Sequence, residues 1–316
     1  MPRSFNAAEY DLDDAQLDSI FAERIVPSIF GASSPSSAPV GILIGAQPGA
    51  GKTQAGSRAI AESGQHVAAI LGDDLRVFHP QYRRLLSLNP SDMPDATAQA
   101  SSAWIRRAIT YAARNRFNTL VEGTFRDPKV SLDTAQEFFD AGFRVESHLV
   151  AVSPELSHVG IGKRFIDDER ENGAARFTSV SAHDGAFSAL PATIRALSSV
   201  NSPVQRFVVR SRDEVLFDRE RSEGHSIRGA SNTAQREWNR VLSDTEFSVW
   251  REQAAEVSVA LMKRHSTDQD VVNLVRQLDF DLTYLKLARS GEIAVRGHIR
   301  AGGDVVPHVR SSPHRR

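Results

Sequence analysis

The sequence predicts an α/β protein in which a parallel sheet is flanked by helices and followed by a helical C-terminal extension. Segments with the apolar pattern of strands alternate with segments of helical periodicity from residue 40 to residue 218. Repeated βα units pair in parallel and place a ligand site at the carboxyl ends of the strands. After a polar stretch, two further amphipathic segments predict the extension.

Each element follows from a local pattern. An amphipathic helix over 11–29 precedes a connector rich in Gly, Ser and Pro. The predicted strands are 40–44, 66–71, 118–122, 144–152 and a pair near 205–218. The predicted helices are 51–63, 97–115, 130–141, 154–173 and one near 191–200. A polar linker over 221–233 leads to helices 234–262 and 268–289.

These patterns divide the chain into three parts. We expect a main domain over residues 1–220 that includes the N-terminal helix, and a helical extension over 221–302. The last fourteen residues, 303–316, contain Arg and Pro and predict a disordered tail. A basic tail can contact nucleic acid, but a solvated chain end explains the same composition.

Composition excludes several classes of protein. Hydrophobic residues make up 41% of the 316 residues and charged residues 24%, which is typical of a soluble globular protein. The net charge of −1 gives no argument for nucleic-acid binding. The absence of cysteine excludes disulfides, thiolate catalysis and Cys-based metal sites. No apolar run approaches the ~20 residues of a membrane span, so we expect a cytoplasmic protein without a membrane partner.

The first strand runs directly into a phosphate-binding loop. Glycines let the backbone N–H groups curl around a phosphate, and the following helix adds the positive end of its dipole. Lys52 can reach the β- and γ-phosphates of ATP or GTP, and the Thr53 hydroxyl can bind Mg²⁺. Ala46 replaces the usual first glycine, which is tolerated if its φ is negative. The predicted nucleotide-binding residues are Gln47, Pro48, Gly49, Ala50, Gly51, Lys52 and Thr53.

Acidic residues follow the next two strands along the chain. Asp73 and Asp74 come after the second strand, where a carboxylate beside the loop can accept the proton of an attacking hydroxyl. We favour Asp73 as this base, although either residue could instead cap a short helix beginning at Leu75. Glu122 ends the third strand and can hold Mg²⁺ or bind substrate hydroxyls, with Thr124 and Arg126 as nearby donors.

Two arginines downstream suit a lid over the phosphates. Arg164 lies on a predicted helix, and Arg176 lies beyond the break at Gly173. Arginines brought over a transferring phosphoryl group lower the barrier, although most arginines form surface ion pairs. His79 and His183 are interpreted as structural or substrate-lining. The adjacent His183 and Asp184 do not predict a triad, because neighbouring residues seldom face each other. No histidine pair has the sequence spacing of zinc ligands.

Taken in order, these motifs resemble the zeta toxin family of bacterial P-loop kinases over about residues 10–220. The matching segments are Gln47-Pro48-Gly49-Ala50-Gly51-Lys52-Thr53, Asp73-Asp74-Leu75-Arg76 with His79-Pro80, Glu122-Gly123-Thr124-Phe125-Arg126, Arg164, Ala175-Arg176 and Ala182-His183-Asp184. The helices beyond residue 220 lie outside this resemblance.

The resemblance implies a P-loop kinase fold and a specific reaction. The family phosphorylates the 3′-hydroxyl of UDP-N-acetylhexosamines, typically UDP-N-acetylglucosamine, with ATP or GTP, and so blocks cell-wall synthesis. It implies that Asp73 is the base and that Lys52, Arg164 and Arg176 hold the phosphates. The same resemblance assigns Arg76, Glu122, Thr124 and Arg126 to the sugar nucleotide. It also implies an antitoxin protein as a partner.

Two other interpretations stay open at this point. The first is a P-loop kinase of another acceptor, such as a nucleotide, a dinucleotide or an antibiotic. The second is a P-loop ATPase or nucleotide-gated binding module, which would need a water-positioning residue and a partner; a switch has no use for a base poised on a substrate hydroxyl. A pseudoenzyme is disfavoured because Lys52, Thr53, Asp73 and Glu122 are all present.

Overall fold

A six-stranded sheet in the order β2-β3-β1-β4-β5-β6 lies at the centre of the computed structural model, which describes residues 5–88, 92–222 and 226–293. The first five strands are parallel, and β6 runs antiparallel to β5 at one edge. The strands are β1 (Val40–Gly45), β2 (Ala68–Leu71), β3 (Thr119–Gly123), β4 (Arg144–Val150), β5 (Arg206–Arg210) and β6 (Val215–Glu220). The predicted fold class is confirmed.

Helices cover the sheet and continue beyond it. The short ones are α1 (Asp14–Ile20), α2 (Val26–Phe30), α4 (Gly72–Leu75), α5 (Tyr82–Leu88) and α6 (Met93–Ala96). The longer ones are α3 (Lys52–Ser63), α7 (Ala98–Asn115), α8 (Pro128–Asp140), α9 (Pro154–Asn172), α10 (Val180–Leu197), α11 (Gly229–Trp238), α12 (Asp244–His265) and α13 (Gln269–Ser290). Among the helices in these described ranges, none combines the length and apolar character of a membrane span.

Alternation along β1 divides the core between the two faces of the sheet. Leu43 packs into the large cluster beneath α7, α8 and α10, whereas Ile42 and Ile44 point to the opposite face and pack against α3. A third apolar cluster, which includes Phe165, Trp250 and the apolar faces of α12 and α13, lies away from the sheet. Helix α9 contributes to this cluster, so it joins the sheet domain to the C-terminal helices.

Four predicted segments have wrong boundaries. The predicted N-terminal helix 11–29 is divided by a π-helical turn over Phe21–Ile25. Helix α10 begins at Val180 rather than near 191, and Pro191 lies inside it. The predicted linker 221–233 contains the start of α11, and the predicted helix 234–262 is interrupted after Trp238. The predicted tail over 303–316 lies outside the described residues, and the division into domains stays a prediction.

Candidate active site

The loop between β1 and α3 has the backbone conformation of a phosphate cradle. Gly49 and Gly51 have φ of +76° and +96°, values that glycine adopts without strain. Ala46 is not among the described non-glycine residues with positive φ, so its side chain is tolerated there. Gly51 caps α3 and has no side chain to occupy the free N–H groups of the first turn. These N–H groups therefore remain available to an anion.

Lys52 folds back over this loop. Its Nζ donates hydrogen bonds to the carbonyl oxygens of Ala46 and Gln47, each at 3.1 Å. Burial lowers the pKa of Lys52 to about 8, although the negative charge of Glu122 opposes that shift. Among the described residues Lys52 forms no ion pair, so its charge is free to meet a phosphate.

The other side chains of the phosphate loop differ in their exposure to solvent. Pro48 and Ala50 are buried, so only their backbone can face a ligand. Gln47 is also buried, and its Nε2 donates to the Val152 carbonyl at 2.7 Å and to Ser157 Oγ at 3.0 Å. The Gln47 side chain thus braces the loop against α9. Thr53 is exposed at the start of α3.

Asp73 lies in α4, directly after β2. Because α4 begins at Gly72 and has no side-chain cap, the alternative in which Asp73 or Asp74 caps a helix beginning at Leu75 is wrong. Asp73 pairs with Arg176 and lies 3.5 Å from Nε of Arg76. Burial acts to raise the pKa of Asp73, but Arg176, Arg164, Arg76 and Lys52 outweigh it and lower the pKa. Asp73 is therefore ionised and able to accept a proton.

Arg76 is turned inward rather than toward open solvent. Its Nη1 donates to the Pro94 carbonyl and to Thr97 Oγ1, each at 2.6 Å. This geometry makes it a support for Asp73. A direct substrate contact by Arg76 stays a prediction.

Glu122 lies between the ends of two neighbouring strands. On β3 it pairs in register with Ile44 of β1 and Leu71 of β2. Burial raises the pKa of Glu122, with Lys52 opposing and Asp73 reinforcing the shift. The parallel sheet thus brings Lys52, Asp73 and Glu122 together at the carboxyl ends of β1, β2 and β3, as the sequence predicted.

A strained residue follows Glu122. Phe125 has φ of +51°, in the left-handed region that a bulky residue adopts only when packing requires it. Its ring lies against β1, where a Cβ added at Gly45 would be 2.2 Å away. The strained turn separates Thr124, which is half-buried, from Arg126, which is exposed and donates to the Ala182 carbonyl at 3.1 Å.

The two arginines predicted to form a lid also lie near the carboxyl ends of these strands. Arg164 on α9 donates to Thr178 Oγ1 at 2.8 Å and, within the described part of the chain, has no ion-pair partner. Arg176 follows Gly173, which ends α9 with φ of +75°. Lys52 and Arg164 are thus two cations without an ion pair beside a phosphate loop.

Sequence reasoning missed several residues near these strand ends. Arg212, which follows β5, donates to the carbonyl oxygens of Gly49 and Leu156 at 3.0 and 2.9 Å. Burial raises the pKa of Tyr82, and the negative charge of nearby Asp73 raises it further. Arg212 and Tyr82 lie in polar segments without a distinctive motif, so only the fold reveals them.

The interpretation of His183 and Asp184 is wrong in one respect. His183 Nδ1 lies 2.8 Å from Asp184 Oδ1, so these neighbours do face each other. His158 Nε2 lies 3.1 Å from the same oxygen, and the three side chains are close enough to hold a metal ion. Sequence spacing missed this cluster because its members lie on two helices. His79 is buried and contacts the Tyr10 carbonyl at 3.0 Å, which is a structural role.

Two curated proteins that are similar to this chain are both named as toxins. Toxin PezT of Streptococcus pneumoniae is 32% identical over 149 residues, which are 47% of this chain and 58% of that protein. Toxin zeta of Enterococcus hirae is 29% identical over 163 residues, which are 50% of this chain and 56% of that protein. The chain therefore spans a little over half the length of the curated relatives it matches.

Solved structures share the fold. A structure from the PezAT chromosomal toxin–antitoxin system of Streptococcus pneumoniae has a TM-score of 0.67 and 24% identity. The similarity covers 80% of this chain and 99% of that one. The covered 80% of the 316 residues is longer than the predicted main domain over residues 1–220 and the predicted tail over residues 303–316 together. The shared fold therefore extends into the C-terminal helices. An AvrRxo1-ORF1:-ORF2 structure with ATP has a TM-score of 0.50 at 13% identity, covering 84% of this chain and 87% of that one.

A family model described as Zeta toxin matches residues 28–222, which include the phosphate loop, Asp73, Glu122, Arg164 and Arg176. That range is more than half of the 316 residues. The resemblance predicted from the ordered motifs is confirmed, and the chain belongs to the zeta toxin family.

Proposed function

We propose that this protein is an ATP- or GTP-dependent kinase that phosphorylates the 3′-hydroxyl of a UDP-N-acetylhexosamine, with UDP-N-acetylglucosamine as the first candidate. The observation that carries the proposal is the position of Asp73. An ionised carboxylate lies among Lys52, Arg164 and Arg176 at the strand end beside the phosphate loop. A module that only binds nucleotide has no use for such a base, and the acceptor panel below separates transfer to a hydroxyl from hydrolysis by water.

The proposed reaction follows from these positions. The loop N–H groups and Lys52 bind the β- and γ-phosphates, and Asp73 accepts the proton of the acceptor hydroxyl. The hydroxyl oxygen forms a new bond to the γ-phosphorus as the bond to the bridging oxygen breaks, which releases ADP or GDP. Arg164 and Arg176 stabilise the charge that spreads over the transferring group. Arg176 has to exchange its contact with Asp73 for the phosphoryl oxygens.

The oxygen donors at these strand ends fit a magnesium ion. The Thr53 hydroxyl and the Glu122 carboxylate make no hydrogen bond or ion pair with any described residue, and Mg²⁺ prefers such hard oxygen ligands. A bound Mg²⁺ supplies positive charge that offsets the phosphate charge. We propose Thr53 as its protein ligand, with Glu122 contacting the metal's water or the acceptor sugar together with Thr124 and Arg126.

The family also suggests a biological role. We propose that the protein acts in the cytoplasm, where ATP and sugar nucleotides are available, as a toxin that blocks cell-wall synthesis. A similar solved structure comes from a toxin–antitoxin system, which supports an antitoxin protein that covers the nucleotide cleft. No observation favours nucleic acid or a membrane as the partner.

The test is phosphoryl transfer from ATP·Mg²⁺, followed by mass spectrometry over several acceptors. The panel contains UDP-N-acetylglucosamine, UDP-N-acetylgalactosamine, UDP-glucose, NAD and water alone. We expect one added phosphate on a UDP-N-acetylhexosamine. ATP consumption without a phosphorylated sugar would contradict the proposed acceptor and would favour another one.

Asp73→Asn removes the proposed base without changing its shape. We expect it to slow transfer by about 10²–10⁴-fold while the affinity for ATP stays similar, because the base acts on the acceptor. Asp74→Asn is the matched control, since Asp74 is the exposed neighbour and the alternative base. The reverse pattern, with Asp74→Asn inactive and Asp73→Asn active, would assign the base to Asp74.

A further inference from the structure

A continuous series of side-chain contacts joins the last helix to the phosphate loop. Asp281 Oδ2 on α13 lies 2.7 Å from His158 Nδ1 on α9, and His158 Nε2 lies 3.1 Å from Asp184 Oδ1. Asp184 Oδ1 lies 2.8 Å from His183 Nδ1, and His183 Nε2 lies 2.9 Å from Ser157 Oγ. The contacts therefore pass from α13 through α9 and α10 and return to α9.

The series then enters the loop itself. Ser157 Oγ accepts a hydrogen bond from Gln47 Nε2 at 3.0 Å, and the Gln47 carbonyl accepts one from Lys52 Nζ at 3.1 Å. Ser157 and Gln47 are fully buried. The position of the lysine that meets the phosphates thus depends on a hydroxyl that α9 supplies.

Burial and charge make this arrangement specific. Asp281 is fully buried, so its carboxylate needs a partner, and Gln277 Nε2 donates to its other oxygen at 2.8 Å. Burial acts to lower the pKa of His158, but hydrogen bonds with Asp184 and Asp281 outweigh it and raise the pKa to about 9. His158 is therefore a cation that donates from both ring nitrogens to two carboxylates.

Backbone packing gives a second, independent link along α9. A Cβ added at Gly160 would lie 2.2 Å from the Gly49 carbonyl oxygen, so the helix touches the loop without an intervening side chain. A Cβ added at Gly162 would lie 2.4 Å from Val257 of α12. Trp250 of α12 also donates to the Glu155 carbonyl at 2.9 Å. Helix α9 is therefore held between the loop and the C-terminal helices.

We infer that Ser157, His158, His183 and Asp281 are positioning residues for the phosphate loop, and that α13 is a working part of the nucleotide site. The inference rests on the proposed function in so far as the loop binds a nucleotide. These residues act through Gln47 and Lys52, without contact with the nucleotide. Loss of any one contact is expected to loosen the loop rather than to remove a chemical group.

A metal ion is the competing explanation for His158, His183 and Asp184. Asp184 Oδ1 already occupies the point at which both ring nitrogens converge, at 2.8 and 3.1 Å. The remaining ring nitrogens are held by Asp281 and Ser157. The hydrogen bonds are therefore complete without a metal, and metal content becomes an outcome of the test.

The first variant is Ser157→Ala in the full-length protein, measured by titration with ATP·Mg²⁺ and by amide hydrogen exchange of residues 46–52. We expect the Kd for ATP to rise about 5- to 30-fold, because two hydrogen bonds in the series are lost. Exchange of the loop amides should rise about tenfold. Ser147→Ala is the matched control, because Ser147 is equally buried and its hydroxyl has no partner among the described residues.

The second variant tests the distant end of the series. Asp281→Ala should raise the Kd about 3- to 10-fold, and Asp281→Asn should restore most of the affinity because it keeps an acceptor for His158. Asp279→Ala, at an exposed position on the same helix, should leave the Kd unchanged. The double variant of Ser157→Ala and Asp281→Ala should bind no more weakly than Ser157→Ala, because both changes interrupt one series.

Clear outcomes overturn the inference. Strictly additive effects, or a lower melting temperature with unchanged Kd and loop exchange, would make the residues purely structural. One zinc ion for each protein molecule, lost in His183→Gln, would replace the inference with a metal site. A wild-type chain that binds neither ATP nor GTP would contradict the proposed function, whereas the exchange measurement would still show whether α13 controls the loop.

Discussion

Two clusters of polar and charged side chains each include residues of α9, and they differ in how their charges are satisfied. The open cluster comprises Lys52, Asp73, Glu122, Arg164 and Arg176, and the closed cluster comprises Ser157, His158, His183, Asp184 and Asp281. In the open cluster Lys52 and Arg164 have no ion pair within the described ranges, whereas in the closed cluster both ring nitrogens of each histidine have a partner.

This difference distinguishes a binding site from an internal support. Lys52 and Arg164 are half-buried, and burial lowers the pKa of both, so an anionic ligand would supply the charge compensation that they lack. A buried carboxylate such as Asp281 requires a fixed partner. We therefore expect changes in the open cluster to affect reaction rates and changes in the closed cluster to affect stability and loop order.

After that of Asp73→Asn, the largest effect that would sharpen this comparison is expected from Arg176→Ala. Removing a cation that stabilises the transferring phosphoryl group should slow transfer by about 10²–10³-fold. Stability should change by at most about 1 kcal/mol, because the ion pair of Arg176 with Asp73 is partly exposed to solvent. Arg170→Ala is the control, since Arg170 is exposed on α9 and, among the residues that the structure describes, pairs only with Asp167. Equal losses of activity in the two variants would break the distinction.

The pH dependence of stability should come from the closed cluster. His158 has a pKa of about 9 in the folded chain against 6.5 in the unfolded chain, so its contribution is complete below pH 6.5 and is lost as the pH rises through 9. The shift corresponds to about 3 kcal/mol. The charged groups that face His158 are Asp184 and Asp281, with His183 beside them.

Urea unfolding of the wild type and His158→Gln at about pH 6 and about pH 9.5 measures this contribution. The free energy of unfolding of the wild type exceeds that of His158→Gln, and this difference should fall by about 3 kcal/mol from about pH 6 to about pH 9.5. Because the pKa of Lys52 is lowered in the folded chain, its contribution to stability rises with pH. Both proteins contain Lys52, so this contribution cancels in the difference between their free energies of unfolding. A constant difference between wild type and His158→Gln would show that His158 is not a buried cation.

The sequence predicted the open cluster better than the closed one, for a physical reason. Lys52, Asp73 and Glu122 follow apolar strands, and parallel pairing brings strand ends together without further information. His158 and Asp281 are 123 positions apart on two helices, and no local pattern relates them. Their contact depends on tertiary packing alone.

The missed helix boundaries have local causes. A helix that begins near 191 would place Pro191 in its first turn, a favourable position, but α10 continues through the proline. Helix α11 buries small residues, Ala230 and Ala234, whose weak apolar pattern resembles that of a polar linker. The left-handed Phe125 could not be predicted either, because tertiary contacts hold it: its ring packs against β1, and its carbonyl accepts a hydrogen bond from Thr193 Oγ1 at 2.6 Å.

The smallest effect is expected at a helix cap that belongs to neither cluster. Ser243 caps α12 by accepting from the Glu246 N–H at 3.3 Å, while Glu246 accepts from the Ser243 N–H at 2.8 Å. Ser243→Ala should lower the free energy of unfolding by about 1 kcal/mol, measured by urea titration. ATP affinity should be unchanged. A weaker affinity would mean that α12 reaches the loop through routes other than the closed cluster.

The contact between Gly49 and Gly160 has a consequence for how this chain tolerates variation. Neither residue offers a functional group, yet each leaves no room for a single methyl group against the backbone of the other segment. In a saturation library selected for nucleotide binding, both positions should be as intolerant as Lys52. Conservative and radical replacements there should fail alike. Such a pattern would identify a backbone contact that no inventory of reactive side chains reveals.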